Sequence, residues 1–519
     1  MVSLLAAEAG WDARTARARS DGRNWGGSAG SCLMGWRECE SIGARLPVCR
    51  GELGHGISDS DNTGASCEES RPRSSPLLPI NPKDLTNPAQ GDLAPPYGRV
   101  ARHLVPLLFA GYVVAYLNRV NIGFAKLEMM GDLGFSDTMY GLGAGIFFVG
   151  YFLFEVPSNL LLHKVGARLW IARIMITWGV ISGATMFVTS PALFYVSRFS
   201  LGLAEAGFFP GIIYYLSCWF PSARRARVMA FFISAIALSG VVGGPLSGWI
   251  LHHFGGVHGL KGWQWLFVLE SIPSVLVGFC VLAWLPSSID ESRWLSDEEK
   301  KALKDAVLAD NRGHTQLAPG QVFADGRIWA LVLVYFLLVA GLYGIGFWMP
   351  QILRNAGISS VLNLGWLTAI PYGLAAAAMM LAGRSSDRSG ERRWHFALSM
   401  STAAAGFLLI GVAGSGAFAA VAGLVLATCG VLSAMPIFWT LPTGFLGGAA
   451  GATAVALINS VGNLAGFLGP YAIGALNDAT GRQAPGLFLV AAMLALGAVA
   501  CVALVRPNLR QNSRFSAPC

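Results

Sequence analysis

From residue 101 onward the chain alternates long apolar runs with short polar gaps. A membrane-spanning helix needs roughly 20 apolar residues. Six runs reach that length before residue 290, at about 104–125, 138–162, 168–188, 192–217, 228–252 and 264–285. A polar stretch, 286–326, interrupts the pattern. Six further runs follow, at about 328–351, 362–383, 394–413, 416–439, 447–475 and 485–505. The pattern predicts an all-α membrane protein with twelve transmembrane helices in two pseudo-symmetric six-helix bundles. The first half is 101–285 and the second 327–506, with a short tail at 507–519. Inside the 286–326 linker, Ser296 and Glu299 have the spacing of a reciprocal helix cap. The charged, amphipathic run after them predicts a short helix in water or at the membrane surface.

Composition sharpens this picture. Of 519 residues, 13% are charged and 54% hydrophobic, whereas soluble domains carry about 25% charge. From Trp394 through Asn477 there is no Asp, Glu, Lys or Arg. A soluble enzyme does not sustain such a run. The formal net charge of +8 does not mark a nucleic-acid binder. Such proteins gather Lys and Arg on one face of a folded domain, and here the basic residues occupy gaps between apolar runs.

Their distribution sets a topology. With the N-terminus in the cytoplasm, inside segments hold 21 Lys and Arg and outside loops hold four, Lys126, Lys261, Arg354 and Arg482. That is a positive-inside signal. It predicts a multi-pass protein of the plasma (inner) membrane with both termini cytoplasmic.

Residues 1–95 are different material: polar, rich in Arg, Ser, Gly and Pro, and without apolar periodicity. They read as a disordered N-terminal extension, the alternative being a misassigned start codon. Cys32, Cys39, Cys49 and Cys67 lack zinc-ligand spacing, and no signal-peptide core is present. Cys218, Cys280, Cys429 and Cys501 lie in apolar runs and read as small buried hydrophobes.

The halves echo each other. After the eighth run comes Gly383-Arg384-Ser385-Ser386-Asp387-Arg388-Ser389-Gly390-Glu391-Arg392-Arg393, and after the second comes Asn159 to Arg168, with Lys164, Gly166 and Arg168 on the same template. Repeated halves about a central site are a transporter pattern. The Gly383–Arg393 loop resembles the signature motif of the major facilitator superfamily. That resemblance implies a gating role for Gly383, Asp387, Arg388 and Gly390, and for Lys164, Gly166 and Arg168 in the first copy. His163 stands there where an acid is usual.

Further stretches narrow the resemblance: Tyr116–Ala125, Glu155–Asn159, Arg198–Gly211, Trp219–Pro221 with Arg224-Arg225-Ala226-Arg227, Pro436–Trp439 and Asn459–Asn463. Together they are similar to the anion:cation symporter family of tartrate, phthalate and sugar-acid permeases, over about residues 100–505.

A charge at the centre of a spanning helix costs about 2.5–3.5 kcal/mol on insertion scales. Arg119, Glu155, Arg198, Glu205 and Glu270 therefore need reasons. Arg198 and Glu205 are seven apart, on one helical face and about 10 Å apart along the axis. They could bracket an anion, or each could pair with another helix. Two arginines around a cavity suit a carboxylate, which guanidinium binds bidentately. The alternative is a structural Arg–Glu network. The resemblance implies substrate binding by Arg119 and Arg198 and proton coupling by Glu205. It also implies an aspartate where this chain has Asn118, a candidate substrate-binding residue that cannot carry a proton.

Glu155 reads as structural or gating, and Glu270 as a pairing or interfacial residue. Asn459 and Asn463 share a face and are candidates either for a substrate hydroxyl or for an interhelical bond. Tyr343 and Trp348 are candidate cavity residues or belt residues. The Gly240–Pro245 and Gly444–Gly451 runs lack a phosphate-loop ending and read as close helix contacts. His252, His253 and His258 read as a solvated loop, not a metal site. No nucleophile elbow, HExxH or catalytic carboxylate pair is present, so no enzyme, metal or organic cofactor is expected.

The expectation is proton-coupled uptake of a small organic anion by alternating access. An exchanger or uniporter of the same anions is the alternative, and a non-transporting sensor is a third reading. Expected partners are the anion, the proton and the lipid bilayer, with the protein working as a monomer. Hydroxy-dicarboxylates, aromatic acids and sugar acids all remain open as substrates.

Overall fold

The computed structural model describes residues 95–312, 322–414, 416–443 and 448–505. The readings for 1–94, for the Gly444–Gly447 part of the second glycine run and for the 507–519 tail lie outside them. The described residues form α-helices joined by short turns. In the first half these are α1 (Tyr97–Val120), α2 (Ile122–Leu133), α3 (Asp137–Val165), α4 (Ala167–Ala184), α5 (Pro191–Glu205), α6 (Phe208–Ser217), α7 (Ser222–Phe254) and α8 (Gly262–Trp284). The linker helix is α9 (Asp297–Arg312). The second half holds α10 (Gly326–Asn355), α11 (Val361–Ser389), α12 (Arg393–Ala413), α13 (Ala417–Thr443), α14 (Gly448–Asn463), α15 (Ala465–Thr480) and α16 (Ala484–Leu504).

Eleven helices among the described residues are long and apolar enough to cross a membrane. The twelfth crossing is the pair α14 and α15, 16 residues each, interrupted at Leu464. The first crossing is longer than its apolar run predicts: α1 and α2 continue through Asn121 as one 37-residue rod. Lys126 is therefore inside this crossing and buried, not in an outer loop as the charge pattern suggested. Cys501 is buried as expected, whereas Cys280 and Cys429 are half-buried and Cys218 is exposed at the end of α6.

Large apolar side chains cover the outside of the bundle, among them Val156, Phe187, Trp284, Val412 and Phe418. Soluble monomers do not expose apolar area on that scale; a bilayer covers it.

The halves meet along α3 against α15 and α7 against α11, with α2 against α10. Below, the near end is the one where α1 starts and α16 stops, and the far end is its opposite. The far end is stitched by polar contacts between halves. Asp478 accepts from the Asp137 and Thr138 amides at 3.2 and 2.8 Å, Asn477 donates to Asp137 at 3.0 Å, and Arg354 donates to the Leu127 carbonyl at 2.9 Å. Lys126 sits under this seam, 2.9 Å from Asp137 and over the Trp348 and Tyr140 rings at 3.6 and 4.7 Å. The acid and the two aromatic faces make a fully buried ammonium tolerable.

The linker helix caps itself as the spacing predicted. The Ser296 amide donates to Glu299, and the Glu299 amide donates to the Ser296 hydroxyl. The Glu299 carboxylate also receives Arg99 at 2.8 Å, tying α9 to α1.

The fourth crossing is broken. Ala206 leaves helical geometry and Gly207 adopts φ 85°, so α5 stops at Glu205 and α6 restarts at Phe208. The freed Ala206 carbonyl accepts from the Ser158 hydroxyl at 2.6 Å, which in turn accepts from the Trp170 indole at 2.9 Å. α5 also lies unusually close to α3. A Cβ on Gly202 would stand 1.9 Å from the Phe147 carbonyl oxygen, so only glycine allows this approach.

Gly202→Ala is expected to cost about 1–3 kcal/mol, the range for overpacking a core, and to lower the thermal midpoint in detergent. Gly98→Ala, whose Cβ meets nothing within 4 Å, should leave the midpoint where it is. Equal midpoints for the two variants would refute the close approach of α3 and α5.

Candidate functional site

The close packing of α3 on α5 brings the charged residues together. Arg119 lies in the last turn of α1, Arg198 mid-way along α5, and Glu205 is the last residue of α5. Both guanidinium groups sit on the ring of Phe147, with Arg119 5.3 Å and Arg198 5.5 Å from its centre. Arg119 also lies 5.7 Å from the Tyr151 ring. Phe147 and Tyr151 are four apart on α3 and so present one face. That spacing was visible in the chain, and the sequence reading passed over both residues.

Arg119 is engaged on two sides. Its Nη2 donates to Glu205 Oε1, forming an ion pair, and its Nη1 donates to the Tyr343 hydroxyl at 2.8 Å. Tyr343 comes from α10, so the cluster spans both halves. Arg198 is different. Its side chain is 0% exposed, and Nε, Nη1 and Nη2 have no hydrogen-bond partner among the described residues. A guanidinium offers five donors, and leaving a buried one unmatched costs several kcal/mol. Counting Arg119, Arg198 and Glu205, the cluster carries one net positive charge. Its chemistry is that of an anion site: an unspent fork of donors beside a second arginine, over an aromatic floor.

The other candidate residues fall into two separate clusters. Asn118 points away from the arginines. Its Nδ2 shares two hydrogens among the Val114 and Glu270 carbonyls and Ser274, all within 3.0 Å, and its Oδ1 accepts from Ser182 at 2.9 Å. Its hydrogen-bonding capacity goes to holding α1, α4 and α8 together. Asn459 donates to Glu155 at 2.8 Å, Ser460 donates to the other oxygen of the same carboxyl, and Asn463 donates back to Asn459. Glu155 thus ties α3 of one half to α14 of the other. Ser158 and Ser460 were not singled out from sequence. A hydroxyl in an apolar run carries no sign of which neighbour it will meet. Trp348 serves the Lys126 cage.

The two loop motifs hold their own halves together. Asp387 pairs with Arg392 at 2.6 Å, and Arg392 also donates to Ser386. Gly390 ends α11 at φ 67°. Arg384 and Arg388 line an open surface recess. Gly383 lies within α11, with nothing within 4 Å of its would-be Cβ. In the first copy, Gly166 ends α3 at φ 94°, Arg168 donates to the Leu282 carbonyl of α8 at 2.7 Å, and Lys164 is exposed. Among the described residues no group of three or more His, Cys, Asp or Glu is placed to hold a metal ion.

With the site assembled, the chain can be set beside known proteins. It is 48% identical over 413 residues to a "Putative tartrate transporter" of Agrobacterium vitis, covering 79% of this chain and 94% of that protein. It is 45% identical to the "Putative metabolite transport protein NicT" of Pseudomonas putida, covering 79% and 94%. With the inner membrane transport protein RhmT of Escherichia coli it shares 36% identity, covering 76% and 92%. Among solved structures, the xylose transporter XylE of E. coli superposes with a TM-score of 0.63 at 14% identity, covering 78% of this chain and 98% of that one. A bacterial homologue of the human lysosomal transporter Spinster gives 0.58 at 19% identity, covering 80% and 95%. Residues 108–470 match the Major Facilitator Superfamily, and the chain belongs to that superfamily of membrane transporters.

Proposed function

We propose that this chain carries a small organic anion across the inner membrane together with protons, by alternating access. The observation that carries the reading is Arg198, fully buried and without a hydrogen-bond partner among the described residues. A transported carboxylate supplies the missing acceptor, bidentately. Arg119 takes part when Glu205 releases it. Protonation of Glu205 dissolves the ion pair and frees Nη2 of Arg119 for a second carboxylate oxygen. The charge count makes the two events depend on each other. With Glu205 ionised the cluster balances one negative charge; with Glu205 protonated it balances two. A dicarboxylate then binds with a proton, and the similarity to a tartrate transporter supports a hydroxy-dicarboxylate as substrate.

The near end faces the cytoplasm in this reading. α1 starts there, α16 stops there and α9 is tied to α1 there, and moving Lys126 out of the loops leaves the asymmetry of basic residues along the sequence stronger. The stitched far end is then the closed periplasmic gate. The Asp387–Arg392 pair holds α11 to α12 as the halves rock. Exchange without net proton movement is the second reading, favoured by Asn118, a residue that cannot titrate and whose hydrogen bonds are already spent.

Two measurements test these readings. In proteoliposomes, one acid from a panel of labelled tartrate, a sugar acid and an aromatic acid should accumulate only under an inward proton gradient. Glu205→Gln should abolish that accumulation. Wild-type flux indifferent to the gradient would establish the exchanger instead.

Arg198→Met should abolish anion binding by titration calorimetry and raise the thermal midpoint of the ligand-free protein. Arg198 has no acid partner to strand among the described residues, and apolar replacement of buried ionic groups stabilises by up to about 4 kcal/mol. A lowered midpoint would show that Arg198 is a structural brace.

A further inference from the structure

A second buried carboxyl lies away from the arginine cluster. Glu270, on α8, is 2% exposed. Its Oε1 accepts from the Ser247 hydroxyl of α7 at 2.7 Å, and its Oε2 has no hydrogen-bond partner among the described residues. The Asn121 side chain, at the junction of α1 and α2, faces the same carboxyl. It is buried, and both its Oδ1 and its Nδ2 lack hydrogen bonds of good geometry among the described residues. Asn121 and Ser247 also line a cavity of about 20 Å³ on the seam between halves, together with Ser239, Thr368 and Tyr372. That volume admits about one water.

The cations of the surrounding helices are committed elsewhere. On α1, Arg119 turns to Glu205. On α2, Lys126 pairs with Asp137. Also on α2, Asp132 receives the indole of Trp263 at the start of α8, two turns from Glu270, and pairs with Lys261. Glu128 lies beside Gly262. On α4, Arg168 bonds Leu282, three turns away in the other direction, and Arg173 stacks on Trp170. On α7, His252 and His253 are exposed at the far end. Tyr116 of α1 and Tyr372 of α11 add only phenols near the seam. No ion pair among the described residues includes Glu270.

We propose that Glu270 is a second proton-carrying site, loaded through the Asn121–Ser247 cavity. This inference rests on the symport reading above. An ionised carboxyl with no cation in a dry interior costs several kcal/mol, and a proton on Oε2 removes that cost and gives Asn121 Oδ1 a donor. The proton arrives from a cavity water as hydronium and leaves to water again; no other bond changes. Access follows from the fold. The cavity lies where α7 meets α11, at a place so tight that a Cβ on Gly244 would stand 1.9 Å from Thr368. Water reaches Glu270 when the halves part along that line. The signal has a short route to the anion. Asn118 bonds the Glu270 carbonyl, and the next residue is Arg119.

The test is proton movement per anion in proteoliposomes, read with an entrapped pH dye beside labelled anion uptake. Glu270→Gln should lower the ratio from about two to about one, as loss of one intramembrane relay carboxyl requires, while anion-for-anion exchange stays measurable and shows that the variant is folded. Asn121→Leu should lower it in the same way, and Glu128→Gln should not. Infrared difference spectra between acid and alkaline buffer should lose one carboxyl band in Glu270→Gln. An unchanged ratio and an unchanged spectrum in that variant overturn the proposal and leave symport through Glu205 standing. A wild type that moves no protons overturns the symport reading itself. Accumulation driven by sodium at equal pH overturns the assignment of a proton to this site.

Discussion

Everything in this molecule is arranged around the cost of keeping guanidinium groups out of water. The apolar runs that make the bundle also shut Arg198 off from solvent and leave Arg119 little of it, so each needs a local answer. Arg119 receives Glu205, Tyr343 and two aromatic faces. Among the described residues, Arg198 receives the ring of Phe147 and no hydrogen-bond acceptor. This inequality gives the cluster its chemistry. One arginine is held ready in an exchangeable pair, and the other keeps its donors unspent. The break after Glu205 is part of the same solution, because it ends α5 on the acid, and Ser158 satisfies the carbonyl exposed by the break. The glycine that lets α5 reach α3 sets the distance at which both arginines meet one ring.

The far end solves a similar problem with the opposite outcome. Lys126 is buried as completely as Arg198, yet it is paired to an acid and enclosed by Trp348 and Tyr140. Its charge is matched by a carboxylate and by two ring faces. Its acid, Asp137, is also held by Asn477, so the cation is part of the contact that joins the halves. A buried cation paired to an acid across the seam helps to join the halves, whereas Arg198 has no acid of its own among the described residues.

The crossings were legible because a bilayer demands little of a sequence beyond length and apolarity. The linker cap was legible because its two residues answer each other at fixed spacing. Arg119, Arg198 and Glu205 were legible as a set, since charge in such runs is rare. Their pairing was not: seven-residue spacing puts Arg198 and Glu205 on one face, and the ion pair formed instead between Glu205 and Arg119 of another helix. Asn118 and Asn459 show the same limit. A helical face can be read from spacing, but the neighbour it meets depends on how whole helices pack. Lys126 was misplaced because counting basic residues treats any lysine near the end of an apolar run as solvated. An aromatic cage with an acid breaks that assumption, and its parts come from α3 and α10, far from Lys126 in sequence or on another helix. The break at Ala206-Gly207 hid inside a run that hydropathy alone reads as continuous.

The arginine cluster and the Glu270 pocket lie on opposite sides of α1, and that helix gives the two a common mechanical element. Asn118 faces α8 and α4 through its contacts with Glu270, Ser274 and Ser182, while Arg119, one residue on, faces α5 and α10. A rigid helix cannot turn one of these residues without moving the other. In the proposed cycle, an anion on Arg198 would free or restrain Arg119 according to the state of Glu205. Any resulting rotation of α1 shifts Asn121 relative to Glu270 and Ser247. Coupling between two sites requires an element with two arrangements that both sites bias. α1 has contacts of the right kind on both faces, and it crosses the seam to α10 through Tyr343, so a change at either site also bears on how the two halves sit against each other.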